Sequence, residues 1–127
     1  MENVCIDKKD YFSVPISYVT DTPSYFRDLT VKEHMLMICN SQKMSKSLAA
    51  EKIEEVMRRL KLERYKDCFP QTLSKGTLQK LNLAMGFLRA EDIYLLDEPF
   101  SSLDPVQVST VEQMIINLRE EGKTQII

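Results

Sequence analysis

The chain holds only 3 glycines among its 127 residues, Gly76, Gly86 and Gly122, and that scarcity excludes one common nucleotide-binding device. A phosphate loop of the form Gly-x-x-x-x-Gly-Lys-Ser/Thr needs glycines so that successive backbone N–H groups can curl around phosphate oxygens. Gly122-Lys123-Thr124 imitates the end of such a loop, but the residue five positions earlier is Asn117, not glycine. A helical pattern precedes the triplet and an apolar run follows it, the reverse of strand-loop-helix, so Gly122 reads as a helix C-cap. The single histidine, His34, reads as a surface or partly buried residue beside Glu33. The 3 cysteines, Cys5, Cys39 and Cys68, are odd in number and far apart, without Cys-x-x-Cys spacing, and read as structural thiols in a reducing cytosol. No apolar run is long enough to cross a bilayer, and Met1 to Asp10 lack the apolar core of a signal peptide, so a soluble piece is expected. A formal net charge of −2 supplies no basic field, which argues against nucleic acid as a partner.

What is present is concentrated in Ile93 to Asp104, Ile-Tyr-Leu-Leu-Asp-Glu-Pro-Phe-Ser-Ser-Leu-Asp. Four apolar residues ending in two acids suit a strand of a parallel sheet buried on both faces, and such strands deliver polar side chains at their C-terminal ends, where ligands bind. Asp97 and Glu98 fall there. Adjacent carboxylates repel each other and resist desolvation unless a cation or a water network engages them, so this pair is expected to be functional. An acid in that position suits a nucleotide-bound magnesium ion, and its neighbour suits a water poised for attack on a phosphoryl group.

Helical and strand patterns alternate along the rest of the chain, which predicts an α/β fold, and the length predicts one domain. Ile16 to Val19 is a short strand candidate. Thr30 and Glu33 have the spacing of a capping box, opening a helix through about Ile38, and a polar linker spans Asn40 to Ser45. Ser47 is expected to cap a second helix with the stripe Leu48, Ile53, Val56, Met57 and Leu60. Arg58, Arg59, Lys61, Arg64 and Lys66 then read as a solvated basic face, or as a surface for acidic lipid headgroups or a partner loop. Glu63 to Thr72 reads as irregular. Leu78, Leu81, Met85 and Leu88 line one face of a third helix, Asp104-Pro105 opens a fourth that runs to Glu121, and Thr124 to Ile127 begins a further strand.

Leu73-Ser74-Lys75-Gly76-Thr77, followed by a helix and then by the acidic strand end, resembles the signature of the ATP-binding-cassette ATPases, the nucleotide-binding subunits of ABC transporters. In that family a Leu-Ser-Gly-Gly-Gln signature, an acidic strand end (Walker B) and a Ser-Ala-Leu-Asp turn (the D-loop) follow in this order. Here Ser101-Ser102-Leu103-Asp104 takes the D-loop position. Lys75 and Thr77 depart from the commonest signature, and Lys80 stands where the family usually has Arg. The retained Ser and Gly still offer a hydroxyl and backbone N–H groups at a helix N-terminus, which suit a phosphate. Ile16 to Pro23 and Leu29 to His34 are similar to the strand, Q-loop and following helix of the family, with Asp21 at the Q-loop position.

The resemblance implies part of a P-loop NTPase fold of the ABC type, with a helical signature subdomain at about 28–90 and the Walker B strand, D-loop and following helix and strand at 91–127. It covers the middle and later part of a cassette, because the phosphate loop is missing and the family's switch His would fall past Ile127. It also implies ATP and magnesium as cofactors. Ser74 and Gly76 would reach the γ-phosphate of a nucleotide held by a partner cassette, Asp97 would hold Mg²⁺ through water, Glu98 would polarise the attacking water, and Asp104 would bridge the two cassettes. A second ATPase subunit, identical or not, and a transmembrane subunit would be the partners, at the inner face of the cell membrane, with export the expected direction. Two other readings stand beside a truncated transporter ATPase: a soluble ABC protein of translation or DNA repair, and a non-catalytic signature module that binds a partner cassette. No sustained heptad run supports the coiled coil of the repair type.

Overall fold

The computed structural model describes residues 16–127; Cys5 and the Met1 to Asp10 segment lie outside them. Strands β1 (Ile16–Val19), β2 (Ile93–Leu96) and β3 (Thr124–Ile126) form a parallel sheet in the order β1-β2-β3. Ile16 pairs with Ile93 and Val19 with Leu96, and Ile93 pairs in turn with Thr124. Parallel neighbours need long crossovers. The first consists of α1 (Val31–Ser41), α2 (Lys46–Arg59) and α3 (Lys75–Leu88), with two short 3₁₀ turns at Glu63–Tyr65 and Pro70–Thr72. The second is α4 (Pro105–Glu120). The α/β class expected from the alternating pattern is therefore the class observed.

Each helix begins where its side chains can satisfy the free N–H groups of the first turn. At α1 the capping box forms in full: the Glu33 N–H donates to Thr30 Oγ1 at 3.2 Å and the Thr30 N–H donates to Glu33 Oε1 at 2.9 Å. The bond from the Thr30 backbone, and secondarily that from its hydroxyl, hold the Glu33 carboxyl below its ordinary range. The helix runs on to Ser41, so Asn40 and Ser41 belong to it and not to a linker. The cap of α2 is Ser45, not Ser47: Ser45 Oγ accepts from the Leu48 N–H at 3.2 Å. That earlier start leaves Leu48 exposed and brings Ala49 onto the buried stripe with Ile53, Val56, Met57 and Leu60. Asp104 caps α4 by accepting from the Gln107 N–H at 2.9 Å, with Pro105 as first helical residue. Gly122, at φ +82°, ends α4: its N–H donates to Arg119 O and that of Lys123 to Leu118 O, the paired bonds of a Schellman turn.

The core lies between one face of the sheet and the helices, and α3 is its centre. Leu81, Leu83, Ala84 and Leu88 are buried on it, but so are Thr77, Gln79, Lys80 and Asn82, so the helix is enclosed on more than the single stripe its sequence predicts. Its C-terminal half crosses β1 closely. A β-carbon on Gly86 would stand 2.3 Å from Val19 Cγ2, and Ser17 Oγ donates to Gly86 O at 3.0 Å. Beyond α3 the buried Tyr94 hydroxyl donates to Arg89 O and accepts from the Glu91 N–H at 3.4 Å, fastening the connection to β2.

The expectation that β2 is buried on both faces is not met. Tyr94 and Leu96 are buried, whereas Ile93 and Leu95 are half-buried. Tyr18, Leu95 and Ile126 are register partners on the second face, where Tyr18 is 57% and Ile126 53% exposed. The reason is architectural: among the described residues the helices pack on one side of the sheet only. His34 also differs from expectation, being 1% exposed. Its ring is drawn inward by two backbone groups. The Phe26 N–H can only donate, so Nε2 accepts it at 2.9 Å, and Nδ1 faces Thr30 O at 2.7 Å as donor.

Val19 is β-branched and has little freedom at χ1, so the Gly86 contact offers no easy relief. Gly86→Ala is expected to destabilise the chain by about 1–3 kcal/mol, the usual range for overpacking, read as a lower urea midpoint. An unchanged midpoint would contradict the close approach of α3 to β1.

Candidate functional site

The polar ends of β1 and β2 leave the sheet together. The last ladder bond joins the Asp97 N–H to Val19 O at 2.9 Å, after which Thr20 and Asp21 turn away on one strand and Glu98 and Pro99 on the other. Asp21, Asp97 and Glu98 are all exposed. Exposure removes the desolvation half of the argument made for the acidic pair, and what remains is mutual repulsion in solvent. Glu98 has φ +51°, a left-handed conformation that costs a non-glycine residue energy and turns the chain sharply into Pro99. Its carbonyl accepts from the Ser101 N–H at 3.2 Å. Among the described residues neither Asp97 nor Glu98 has an ion-pair partner, since the two bridges present are Arg89–Glu91 and Lys123–Asp92. Among the described residues no three His, Cys, Asp or Glu side chains converge there.

Ser74 is exposed and is the N-cap of α3. Its hydroxyl accepts from the Thr77 N–H at 3.2 Å and donates to Thr77 Oγ1 at 2.8 Å. The Thr that departs from the commonest signature is thus a partner of the cap. Helix geometry leaves the N–H groups of Lys75 and Gly76 without an intrahelical acceptor, facing outward with the positive end of the helix. Gly76 has a packing duty as well: a β-carbon there would lie 2.7 Å from the Ser102 carbonyl oxygen, so the start of α3 touches the turn after β2 backbone to backbone. Ser102 itself has φ +64°. Asp104, exposed, points its carboxylate into the cap of α4.

Three residues of α3 to which the sequence reading gives no site role, Gln79, Lys80 and Asn82, lie buried among these pieces. Gln79 is 3% and Asn82 8% exposed. Gln79 Nε2 donates to Pro99 O at 3.2 Å and Glu98 O at 3.4 Å, and Asn82 Nδ2 donates to Thr20 O at 2.8 Å. Lys80 is 5% exposed, and burial pushes its ammonium below the ordinary lysine range against the opposing pull of Tyr65 and Asp104, with Lys61 and Arg64 adding to the lowering. The sequence did carry a signal for these: polar residues spaced three apart on a helix otherwise facing the core. In the basic cluster, which begins in the last turn of α2, Arg64 lies over the Tyr65 ring at 4.9 Å.

The structure thus brings Asp21, Asp97 and Glu98 to the same end of the sheet and joins Gly76 to the turn that precedes Asp104. Ser74 is set apart from them, about 7 Å further along the helix axis than Gln79 at the usual rise per residue.

The chain is similar in sequence and fold to known proteins. The family described as ABC transporter matches residues 2–101. The uncharacterized ABC transporter ATP-binding protein YthP of Bacillus subtilis is 33% identical over 106 residues, 84% of this chain and 45% of its own length. The lipopolysaccharide export system ATP-binding protein LptB of Haemophilus influenzae is 29% identical over 128 residues, 94% of this chain and 53% of its own length. A solved structure of the ATP-binding subunit of an ABC transporter superposes with a TM-score of 0.83 at 27% identity, over 87% of this chain and 46% of that one. The chain spans about half the length of the curated relatives it matches.

Ser74→Ala removes a cap and should cost about 1 kcal/mol of stability. Gly76→Ala meets backbone, which cannot swing aside as a side chain can, and should cost about 1–3 kcal/mol and displace the Ser101 to Leu103 turn. Thermal unfolding and amide chemical shifts of that turn are the measurements. A Gly76→Ala protein with native stability and an unmoved turn would contradict the contact.

Proposed function

The chain belongs to the ABC transporter ATP-binding family, and from that membership we propose that it supplies the signature, acidic strand end and D-loop of a cassette that hydrolyses ATP to drive transport, in the direction of export. The observation that carries the proposal is the joint placement of Asp97 and Glu98 at one end of the sheet and of the capped α3 N-terminus beside the D-loop turn. In this reading residues 28–90 are the helical signature subdomain, and residues 91–127 belong to the catalytic core. The phosphate loop is not among these 127 residues, so other residues would hold the α- and β-phosphates.

The geometry supports a division of labour. Asp97, exposed and without an ion-pair partner among the described residues, is free to hold Mg²⁺ through water, and that ion would neutralise charge on the phosphates. Glu98 is turned out of the strand by its left-handed backbone and is assigned to orient and polarise the attacking water, a general-base task worth roughly 10²–10⁴ in rate. Asp21, on the neighbouring strand exit, is assigned to the same nucleotide site. Ser74 and Gly76 stand apart from this cluster and offer free N–H groups outward, which suits a γ-phosphate on a second cassette. Asp104, at the cap of α4, would meet that second cassette. The partner is a second ATPase subunit, identical or related, and the loop from Thr20 to Leu29 would face a transmembrane subunit at the inner face of the cell membrane. Export is favoured by the lipopolysaccharide export relatives.

Isothermal titration of the 127 residues with magnesium-ATP should give no binding heat, because the groups that hold the α- and β-phosphates are not among them. Micromolar affinity would mean that the nucleotide-holding groups have been misassigned. In a complete cassette containing this sequence, Glu98→Gln should leave ATP binding intact and lower phosphate release at least about 10²-fold. Near-normal turnover would remove Glu98 from the water-polarising role.

A further inference from the structure

The sheet ladder stops one residue short of the candidate site. Its last bond is Asp97 N–H to Val19 O at 2.9 Å, and the next carbonyls on the two strands, Thr20 O and Glu98 O, accept no N–H from the neighbouring strand. Both are taken up by α3. Asn82 Nδ2 donates to Thr20 O at 2.8 Å and to Gln79 Oε1 at 3.5 Å, while Gln79 Nε2 donates to Glu98 O at 3.4 Å and to Pro99 O at 3.2 Å. The two amides form one continuous chain from one strand exit to the other. Their orientation is fixed by chemistry, because backbone carbonyls only accept and each NH₂ group must therefore face them.

We propose that Gln79 and Asn82 are positioning residues, a buried amide relay that makes the loop bearing Asp21 and the turn bearing Glu98 move as one unit. Three features support this. The pair is enclosed, at 3% and 8% exposure, so water does not replace a lost partner at low cost. Glu98 adopts φ +51°, a backbone state that persists only where its surroundings enforce it, and the carbonyl that Gln79 holds belongs to that same residue. Gln79 and Asn82 stand three residues apart on one face of α3, so the two exits are joined through one helix as well as through the amide contact, which at 3.5 Å is the longest and weakest bond of the series. The consequence rests on the proposed function: a change at the Asp21 loop would reach the water-polarising carboxylate through α3 and not only through the sheet.

The test uses the 127-residue chain itself and no nucleotide, so its failure leaves the ATPase reading untouched. Amide shifts and hydrogen exchange are compared by ¹⁵N NMR for wild type, Asn82→Ala and Gln79→Met, the latter keeping side-chain length while removing the donors. Asn82→Ala should shift Glu98 to Ser101 as well as Thr20 to Thr22. It should also speed exchange of the Ser101 N–H, which donates to Glu98 O at 3.2 Å, by about tenfold, the effect of losing one net hydrogen bond. Gln79→Met should shift Thr20 to Thr22 from the opposite side, and the double variant should add little to either single one. If Asn82→Ala does not fold, Gln79→Met alone decides. Effects confined to the strand exit nearest each substitution, with fully additive shifts in the double variant, would overturn the relay and leave two independent packing contacts.

Discussion

Helix α3 lies so close to the sheet and to the turn beyond β2 that two of its positions admit no side chain, and the rest of the arrangement follows from that approach. At Gly86 the obstacle is Val19 on β1, and at Gly76 it is the Ser102 carbonyl. Between these two points the helix has no room to tilt. Its intervening polar residues, Gln79 and Asn82, consequently meet carbonyls that the parallel ladder has left behind at Glu98, Pro99 and Thr20. One rigid element thus sets three things at once: the position of the Ser74 cap, the exit of the acidic strand and the exit of β1. Under the proposed function, the signature and the carboxylate would serve two different nucleotides while both are fixed to the same rod.

Charge at the site is handled by exposure and not by burial. Asp21, Asp97, Glu98 and Asp104 are all exposed, so their carboxylates are solvated, and under the proposed function their desolvation would come with the binding of cation, phosphate and partner. Lys80 is the opposite case. It is enclosed beside Asp104 and Tyr65, and burial lowers its affinity for a proton. Where the family usually carries Arg, a single buried ammonium with three flexible donors meets this surrounding instead of a planar fork.

Much of this was legible in the sequence, and the gaps have physical causes. The α/β class, the capping box of Thr30 and Glu33, the Asp104-Pro105 start and the Gly122 stop are local rules, written within a few residues of where they act. The start of α2 lies two residues before the one the sequence suggests, because Ser45 and Ser47 are both competent caps and the packing of Ala49 against the core favours the first. His34 reads as a surface residue until the loop from Asp21 to Leu29 folds over it and supplies the Phe26 N–H, a contact eight residues away. The strand β2 reads as buried on both faces because its four residues are apolar, but periodicity does not say which face receives helices. The polar spacing on α3 marks Gln79 and Asn82, but their partners lie 19 to 62 residues away, so the local pattern does not say what they meet.

If α3 is the element on which the site is built, it must open together with the strands it holds. Native-state hydrogen exchange resolved along the chain tests this most directly. The account predicts that the amides of Lys80 to Leu88 exchange at the same slow, global rate as those of β1 and β2, while the Thr20 to Leu29 loop exchanges faster. An α3 that opens freely while β1 and β2 remain protected would contradict it, because the helix would then be a separate body and the geometry of Glu98 would have to be held by the sheet alone.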